Sequence, residues 1–274
     1  MPPARTAFVL GGGGILGSAE VGMLRALLER GVRPDLIVGS SVGALNGVAV
    51  AARPDMESVA ELTRTWTSLQ ARDVFSSSVV GQVTNLVRHG TYLHGNGPLR
   101  RLIAESAGEV PIEDLQVPFQ CVAACIEQAS AHWFDSGPVV DAVLASCAVP
   151  GLLPPVRVGD RHFMDGGLVA SVPVGRAVEL GATRVFVLHV GRLERDLQAP
   201  ARPWDVALVA FEIARRHQFA DDMARLPDSV EVRVLPAGDL PPAVSLRYRN
   251  AGSVARRIEA AYQASCRFLD SSGL

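Results

Sequence analysis

The sequence has few cysteines, and they do not form a ligand pattern. Cys121, Cys125, Cys147 and Cys266 lack the spacing to one another and to histidine that metal sites require. Free cysteine packs as a small apolar side chain. We therefore expect four buried free thiols in a reducing compartment, and we predict no metal and no organic cofactor.

The chain also has no large excess of positive or negative charge and no long apolar run. The chain has 26 basic and 28 acidic residues and a formal net charge of -2, so it has no overall positive field to attract nucleic acid. No stretch approaches the roughly 20 apolar residues that span a bilayer, and residues 1–10 lack the features of a secretory signal. These absences predict a cytoplasmic protein that contacts a membrane only peripherally and does not bind nucleic acid.

Apolar segments typical of strands alternate with segments of helical periodicity. Apolar runs at residues 6–10, 36–38 and 185–190 predict buried strands, and hairpins are predicted within residues 119–134 and 156–164. The alternation predicts a three-layer α/β/α fold with a mostly parallel central sheet. We find no repeat and no clear linker. We therefore expect a core over residues 6–175, which the strands and helices of residues 176–274 complete as one compact domain.

A serine lies at the turn between the second predicted strand and the following helix. Gly39-x-Ser41-x-Gly43 has the spacing of a nucleophile elbow, in which the sharp turn exposes the serine and the glycines avoid clashes between strand and helix. The helix N-terminus would favour a developing anion next to Ser41. The pentapeptide alone also fits a structural turn rich in glycine and serine.

A serine nucleophile needs a base to accept its proton. Any of the six histidines could serve, but a histidine in such a position is more often an exposed or hydrogen-bonded polar residue than a catalytic base. Asp165 instead ends a predicted strand and precedes Gly166 and Gly167, whose amides could orient its carboxylate. An Asp-Gly turn with only local hydrogen bonds is the alternative.

The glycines after the first strand form a third candidate element. Consecutive backbone amides at residues 11–14, before a predicted helix, can bind an oxyanion or a phosphate. Gly12-x-Gly14-x-x-Gly17 also satisfies the dinucleotide-binding fingerprint. That fingerprint expects an acidic residue at the end of the second strand, where this chain has Gly39-Ser40-Ser41.

Together and in this order, the three elements resemble the patatin-like phospholipase family. Residues 43–46 and 145–155 also look similar to the family pattern, and the resemblance covers about residues 6–173. It implies a patatin-like fold and a two-residue catalytic dyad. The implied roles are Ser41 as nucleophile, Asp165 as proton acceptor, Gly12, Gly13 and Gly14 as oxyanion hole, and Gly39, Gly43, Gly166 and Gly167 as supports of the two turns.

The resemblance implies a serine hydrolase that cleaves acyl esters of lipids or lysolipids, of the phospholipase A, lysophospholipase or lipid esterase type. An acyltransferase with the same dyad, a lipid-binding protein without activity and a nucleotide-dependent oxidoreductase remain alternatives. Two positions depart from the family pattern. The family usually has Arg or Lys where this chain has Leu16, and often His where it has Glu20. Residues 73–97 combine flexible and apolar residues and are a candidate lid.

Overall fold

A central sheet with helices on both faces organises the part of the chain that the structure describes. This structure is a computed structural model, and it describes residues 5–68, 94–190, 196–197, 199–200, 203–238 and 251–274. Of the candidate lid at residues 73–97, residues 73–93 lie outside the described ranges.

Within those ranges the sheet has eight strands. The strands are β1 (Thr6–Leu10), β2 (Leu36–Ser40), β3 (Phe119–Cys125), β4 (Ser130–Phe134), β5 (Val156–Val158), β6 (Arg161–Asp165), β7 (Arg184–Leu188) and β8 (Glu231–Leu235). The α-helices are α1 (Ser18–Glu29), α2 (Val42–Ala52), α3 (Met56–Ser68), α4 (Gly97–Ala107), α5 (Val139–Ser146), α6 (Val174–Glu179), α7 (Pro203–Ala224) and α8 (Ala251–Ser271).

The strand order is β5-β6-β3-β2-β1-β7-β8, with β4 also paired to β3. Strand β1 pairs in parallel with β2 and β7, and the pairs β2–β3 and β7–β8 are parallel too. Antiparallel pairing is found at β3–β4 and β5–β6, where the sequence predicts hairpins, and at β3–β6, which the sequence does not predict. The prediction of a three-layer α/β fold with a mostly parallel sheet is confirmed.

Alternation of side chains along the strands divides the apolar core into two layers. In β1, Phe8 and Leu10 face one side of the sheet and Ala7 and Val9 face the other. The first side packs against α1 to α5 and α8. The second packs against α6 and α7, with Phe219 among its buried residues. Every side chain of β1 is therefore buried, which suits a central parallel strand.

Helices α1 and α8 approach each other closely at Gly22. A Cβ atom added to Gly22 would lie 2.1 Å from the backbone oxygen of Ile258. The missing side chain therefore lets the two backbones touch. Helix α8 therefore packs directly on α1. Strand β7 likewise pairs directly with β1. The predicted division of the chain at residue 175 stays a prediction.

The cysteines and the helices bear on two expectations from composition. All four cysteines are free, and Cys121, Cys125 and Cys147 are buried as predicted. The prediction of burial is wrong for Cys266, which is partly exposed on α8, where Arg30 donates a hydrogen bond to its sulfur at 3.2 Å. In the ranges that the structure describes, none of the helices is long and apolar enough to cross a bilayer.

Candidate active site

Ser41 occupies the tight turn between β2 and α2. Its backbone has φ 53° and ψ -127°, a conformation that residues other than glycine rarely adopt. The two neighbouring glycines are sterically required, because a Cβ on Gly39 would lie 2.6 Å from the Cα of Ala44 and a Cβ on Gly43 would lie 2.3 Å from the oxygen of Leu10. The local geometry is that of a strand–serine–helix elbow.

Two residues at the end of α5 hold the backbone of the elbow. The amide of Ser41 donates to Ser146 Oγ at 3.0 Å, and Cys147 Sγ donates to the carbonyl oxygen of Ser41 at 3.0 Å. Burial raises the pKa of the Cys147 thiol well above its usual value, so the thiol stays protonated and can donate. Sequence reasoning assigned no role to these two residues, although both lie in the segment that looks similar to the family pattern.

The Ser41 hydroxyl and the Asp165 carboxylate are in contact. Ser41 Oγ donates to Asp165 Oδ2 at 2.6 Å, and both side chains are buried. Asp165 ends β6, and the other carboxylate oxygen accepts the amide of Gly167 at 2.8 Å in the short 3₁₀ helix Gly166–Leu168. At Gly166 an added Cβ would lie 2.2 Å from the oxygen of Val122, so this turn presses against β3.

The environment of Asp165 favours proton exchange near neutral pH. Burial raises its pKa from 3.8 to about 6, although the hydrogen bonds from Ser41 and Gly167 and the charge of Arg215 act in the opposite direction. A base is most effective when its pKa lies close to the working pH. Asp165 can therefore be ionised at neutral pH and still bind a proton readily during a reaction.

The glycine-rich segment at residues 11–14 passes directly beside Ser41. A Cβ on Gly12 would lie 3.4 Å from the Cβ of Ser41. The amide of Gly12 donates to the carbonyl oxygen of Ser171 at 2.8 Å, whereas the amides of Gly13 and Gly14 donate no hydrogen bond to any residue that the structure describes. Gly13 and Gly14 therefore stay candidates for oxyanion donors, and the amide of Gly12 is committed to Ser171.

Comparison with known protein families finds a match that includes the glycine loop, the elbow and the aspartate. The sequence model for the patatin-like phospholipase family matches residues 8–178, which include all three elements. The chain belongs to the patatin-like phospholipase family. This result confirms the resemblance stated from the motifs.

Individual proteins similar to this chain have names that agree with its assignment to the family. The chain is 33% identical over 188 residues to the patatin-like phospholipase domain-containing protein ZK370.4 of Caenorhabditis elegans, and the match covers 68% of this chain and 14% of the relative. It is 31% identical over 226 residues to the lysophospholipase NTE1 of Mycosarcoma maydis, with 82% of this chain and 12% of the relative covered. The chain thus matches only a small part of the length of these relatives.

A solved structure shares the fold. The crystal structure of VipD from Legionella pneumophila superposes with a TM-score of 0.51 at 16% sequence identity, covering 98% of this chain and 67% of VipD. At this identity the similarity concerns the fold alone. It extends beyond the residues that match the family model, because it includes the C-terminal strands and helices.

The two positions that depart from the patatin-like pattern take up structural roles. Leu16 is partly buried and packs against the core. Glu20 is fully buried and accepts a hydrogen bond from Asn46 Nδ2 at 2.7 Å, while burial raises the pKa of its carboxyl well above the usual value. Asn46 also donates to the oxygen of Gly17 at 3.0 Å and accepts from Trp66 Nε1 at 2.9 Å. This network holds the C-terminal end of the glycine loop.

The histidines that the structure describes make no hydrogen bond to the hydroxyl of Ser41. Among the described residues, that hydroxyl hydrogen-bonds to Asp165. His189 follows β7 and lies against the glycine loop, 3.1 Å from where a Cβ on Gly11 would be. Its ring stacks on Phe219 at 5.6 Å, and burial lowers its pKa to about 3. His189 is therefore uncharged at neutral pH and packs against the glycine loop.

Proposed function

We propose that this chain is a serine acyl hydrolase that cleaves acyl esters of lipids or lysolipids, with Ser41 as nucleophile and Asp165 as its base. The observation that carries the proposal is the 2.6 Å hydrogen bond from Ser41 Oγ to a buried carboxylate whose pKa is raised to about 6. A hydroxyl on a strained elbow beside such a base is arranged for proton transfer and nucleophilic attack.

In the proposed reaction, Asp165 accepts the hydroxyl proton as Ser41 Oγ attacks the ester carbonyl carbon. The amides of Gly13 and Gly14 donate to the oxyanion of the tetrahedral intermediate. The intermediate collapses, the bond to the alcohol oxygen breaks, and the alcohol takes the proton from Asp165. Asp165 then accepts a proton from water, which attacks the acyl-serine, and a second collapse returns that proton to Ser41 and releases the fatty acid.

Relatives support a lipid as the acyl donor. The family is named for phospholipase activity, and the relative from Mycosarcoma maydis is named a lysophospholipase. We infer that the substrate of this chain belongs to the same chemical class, and that any contact with a membrane is peripheral.

The test is hydrolysis of a panel of p-nitrophenyl esters, phospholipids and lysophospholipids by the wild-type protein and by the Ser41→Ala variant. We expect Ser41→Ala to abolish release of fatty acid and labelling by a fluorophosphonate probe, because both reactions need the nucleophile. Ser40→Ala is the matched control, since it removes the neighbouring hydroxyl, which has no hydrogen-bond partner among the described residues. This control should keep most of the activity.

Three results separate the alternatives. Hydrolysis by Ser41→Ala at the wild-type rate would disprove the assignment of the nucleophile. A wild-type protein that neither reacts with the probe nor hydrolyses any ester would be a lipid-binding member of the family. Transfer of the acyl group to added alcohols or lysolipids in preference to water would make the protein an acyltransferase with the same dyad.

A further inference from the structure

The glycine loop lacks the basic residue that the family usually has at position 16, but a different cation reaches it. Arg215 lies on α7, outside the residues that match the family model, and only 7% of its surface is exposed. Its Nη1 donates to the carbonyl oxygen of Gly12 at 2.6 Å. A residue 203 positions away in the sequence thus binds the loop beside Ser41.

The guanidinium of Arg215 is itself held in place by one carboxylate. Nε donates to Glu212 Oε2 at 2.9 Å, and Nη2 donates to Glu212 Oε1 at 3.0 Å. Glu212 lies one helical turn earlier on α7. This two-point ion pair fixes the plane of the guanidinium and aims Nη1 at Gly12. Lysine could not reproduce both contacts, because its ammonium is a single point of charge.

Holding the Gly12 carbonyl fixes the direction of the next amide. The C=O of Gly12 and the N–H of Gly13 belong to one planar trans peptide unit, in which the two bonds point in opposite directions. Glycine has the widest range of backbone conformations, so this peptide would otherwise rotate readily. The neighbouring peptide is fixed by the hydrogen bond from the Gly12 amide to Ser171. The contact with Arg215 therefore orients the Gly13 N–H and also increases its polarity.

We propose that Arg215 is a positioning residue, which holds the Gly12–Gly13 peptide so that the Gly13 amide is directed at the oxyanion. The inference rests on the proposed hydrolase function for its catalytic consequence, but the anchoring of the loop can be measured separately. Asn46 holds the other end of the same loop at Gly17. The two candidate oxyanion donors thus lie between two side-chain anchors, one of them from the C-terminal part of the chain.

The experiment compares Arg215→Met and Arg215→Lys with Arg216→Met in the full chain. Arg216 is the matched control, because it is the next residue of α7 and also pairs with Glu212, through Nε at 3.0 Å. Circular dichroism and thermal unfolding establish that each variant is folded. Hydrogen–deuterium exchange of the peptide at residues 11–17 measures anchoring of the loop, and kcat and KM for an ester substrate measure its consequence.

For Arg215→Met we expect amide exchange in residues 11–17 to become at least about tenfold faster, because the peptide is released. We expect kcat to fall by about 30-fold, less than the roughly 10²–10³-fold loss that follows complete removal of an oxyanion donor, with KM changed less than about threefold. Arg215→Lys should recover part of kcat, since it keeps one donor near Gly12. Arg216→Met should match the wild type in both measurements.

Unchanged exchange in folded Arg215→Met and Arg215→Lys would overturn the anchoring itself, whatever the activity. Faster exchange with unchanged kcat would overturn the positioning role. An equal loss of kcat in Arg216→Met would show that the charge of α7 matters rather than the contact with Gly12. If the wild-type protein hydrolyses no ester, the proposed function fails, and the exchange data still decide whether Arg215 holds the loop.

Discussion

Replacing Asp165 with asparagine should abolish hydrolysis and stabilise the folded protein. The pKa of Asp165 rises from 3.8 to about 6 on folding because burial penalises the charged form. At about 1.4 kcal/mol per pKa unit, holding the carboxylate ionised in the folded protein costs about 3 kcal/mol. An amide removes this cost, and it can still accept from Gly167 and donate to Ser41 Oγ. The free energy of unfolding of Asp165→Asn should therefore exceed that of the wild type by up to about 3 kcal/mol at pH 8.

The gain should depend on pH in a defined direction. At pH 8 the wild-type carboxyl is charged in both the folded and the unfolded chain, so the full cost is present. The gain should decrease as the pH falls through about 6, and it should vanish below 3.8, where the carboxyl is protonated in both states. Urea unfolding at pH 8, 6 and 4 measures this difference.

Asp160→Asn is the matched control, because the side chain of Asp160 is fully exposed in the turn between β5 and β6. Its effect should stay within about 0.5 kcal/mol at every pH. A variant Asp165→Asn that is equally or less stable than the wild type at pH 8 would refute the claim that a buried charge at this position opposes folding.

Three further predictions concern other measurements. The profile of kcat/KM against pH should rise with an apparent pKa of about 6, because Asp165 must be ionised to accept a proton; a profile flat from pH 5 to 8 would exclude it as the base. Gly22→Ala should lower the free energy of unfolding by about 2 kcal/mol, because a Cβ would lie 2.1 Å from the oxygen of Ile258; an unchanged urea midpoint would contradict this contact. Iodoacetamide should modify partly exposed Cys266 well before buried Cys121 under native conditions, as peptide mass spectrometry would reveal, and the reverse order would contradict the burial of β3.

Much of the fold could be predicted because its signals are local. The apolar run at residues 6–10 coincides with β1, and the segment around Ser41 has the strand, turn and helix that its glycines indicate. Helix α6 cannot be predicted from periodicity, because a helix from Val174 to Glu179 is too short to show a helical period. Its start after Pro173 gave no sign that residues 174 and 177 would cover the sheet.

The site could be predicted in part from motifs, whereas its assembly depends on contacts between distant segments. Antiparallel pairing of Ala123 with Asp165 places the carboxylate beside the elbow, and no local pattern specifies that register. Arg215 is a stronger example, because α7 has two adjacent arginines and both pair with Glu212. Only the folded chain distinguishes the one that binds the oxygen of Gly12.

The central place of β1 has a consequence for how substrate specificity can change. From β1 the chain adds β2 and then β3 towards one edge of the sheet. It later returns to add β7 and β8 towards the opposite edge. Such a reversal of strand order is a topological switch point, where the connecting loops diverge and leave a crevice at the carboxyl ends of the strands. The walls of this crevice therefore come from loops far apart in the sequence. Under the proposed function, substitutions in these loops can reshape the crevice for another acyl chain while β1 and β2 keep Ser41 in place.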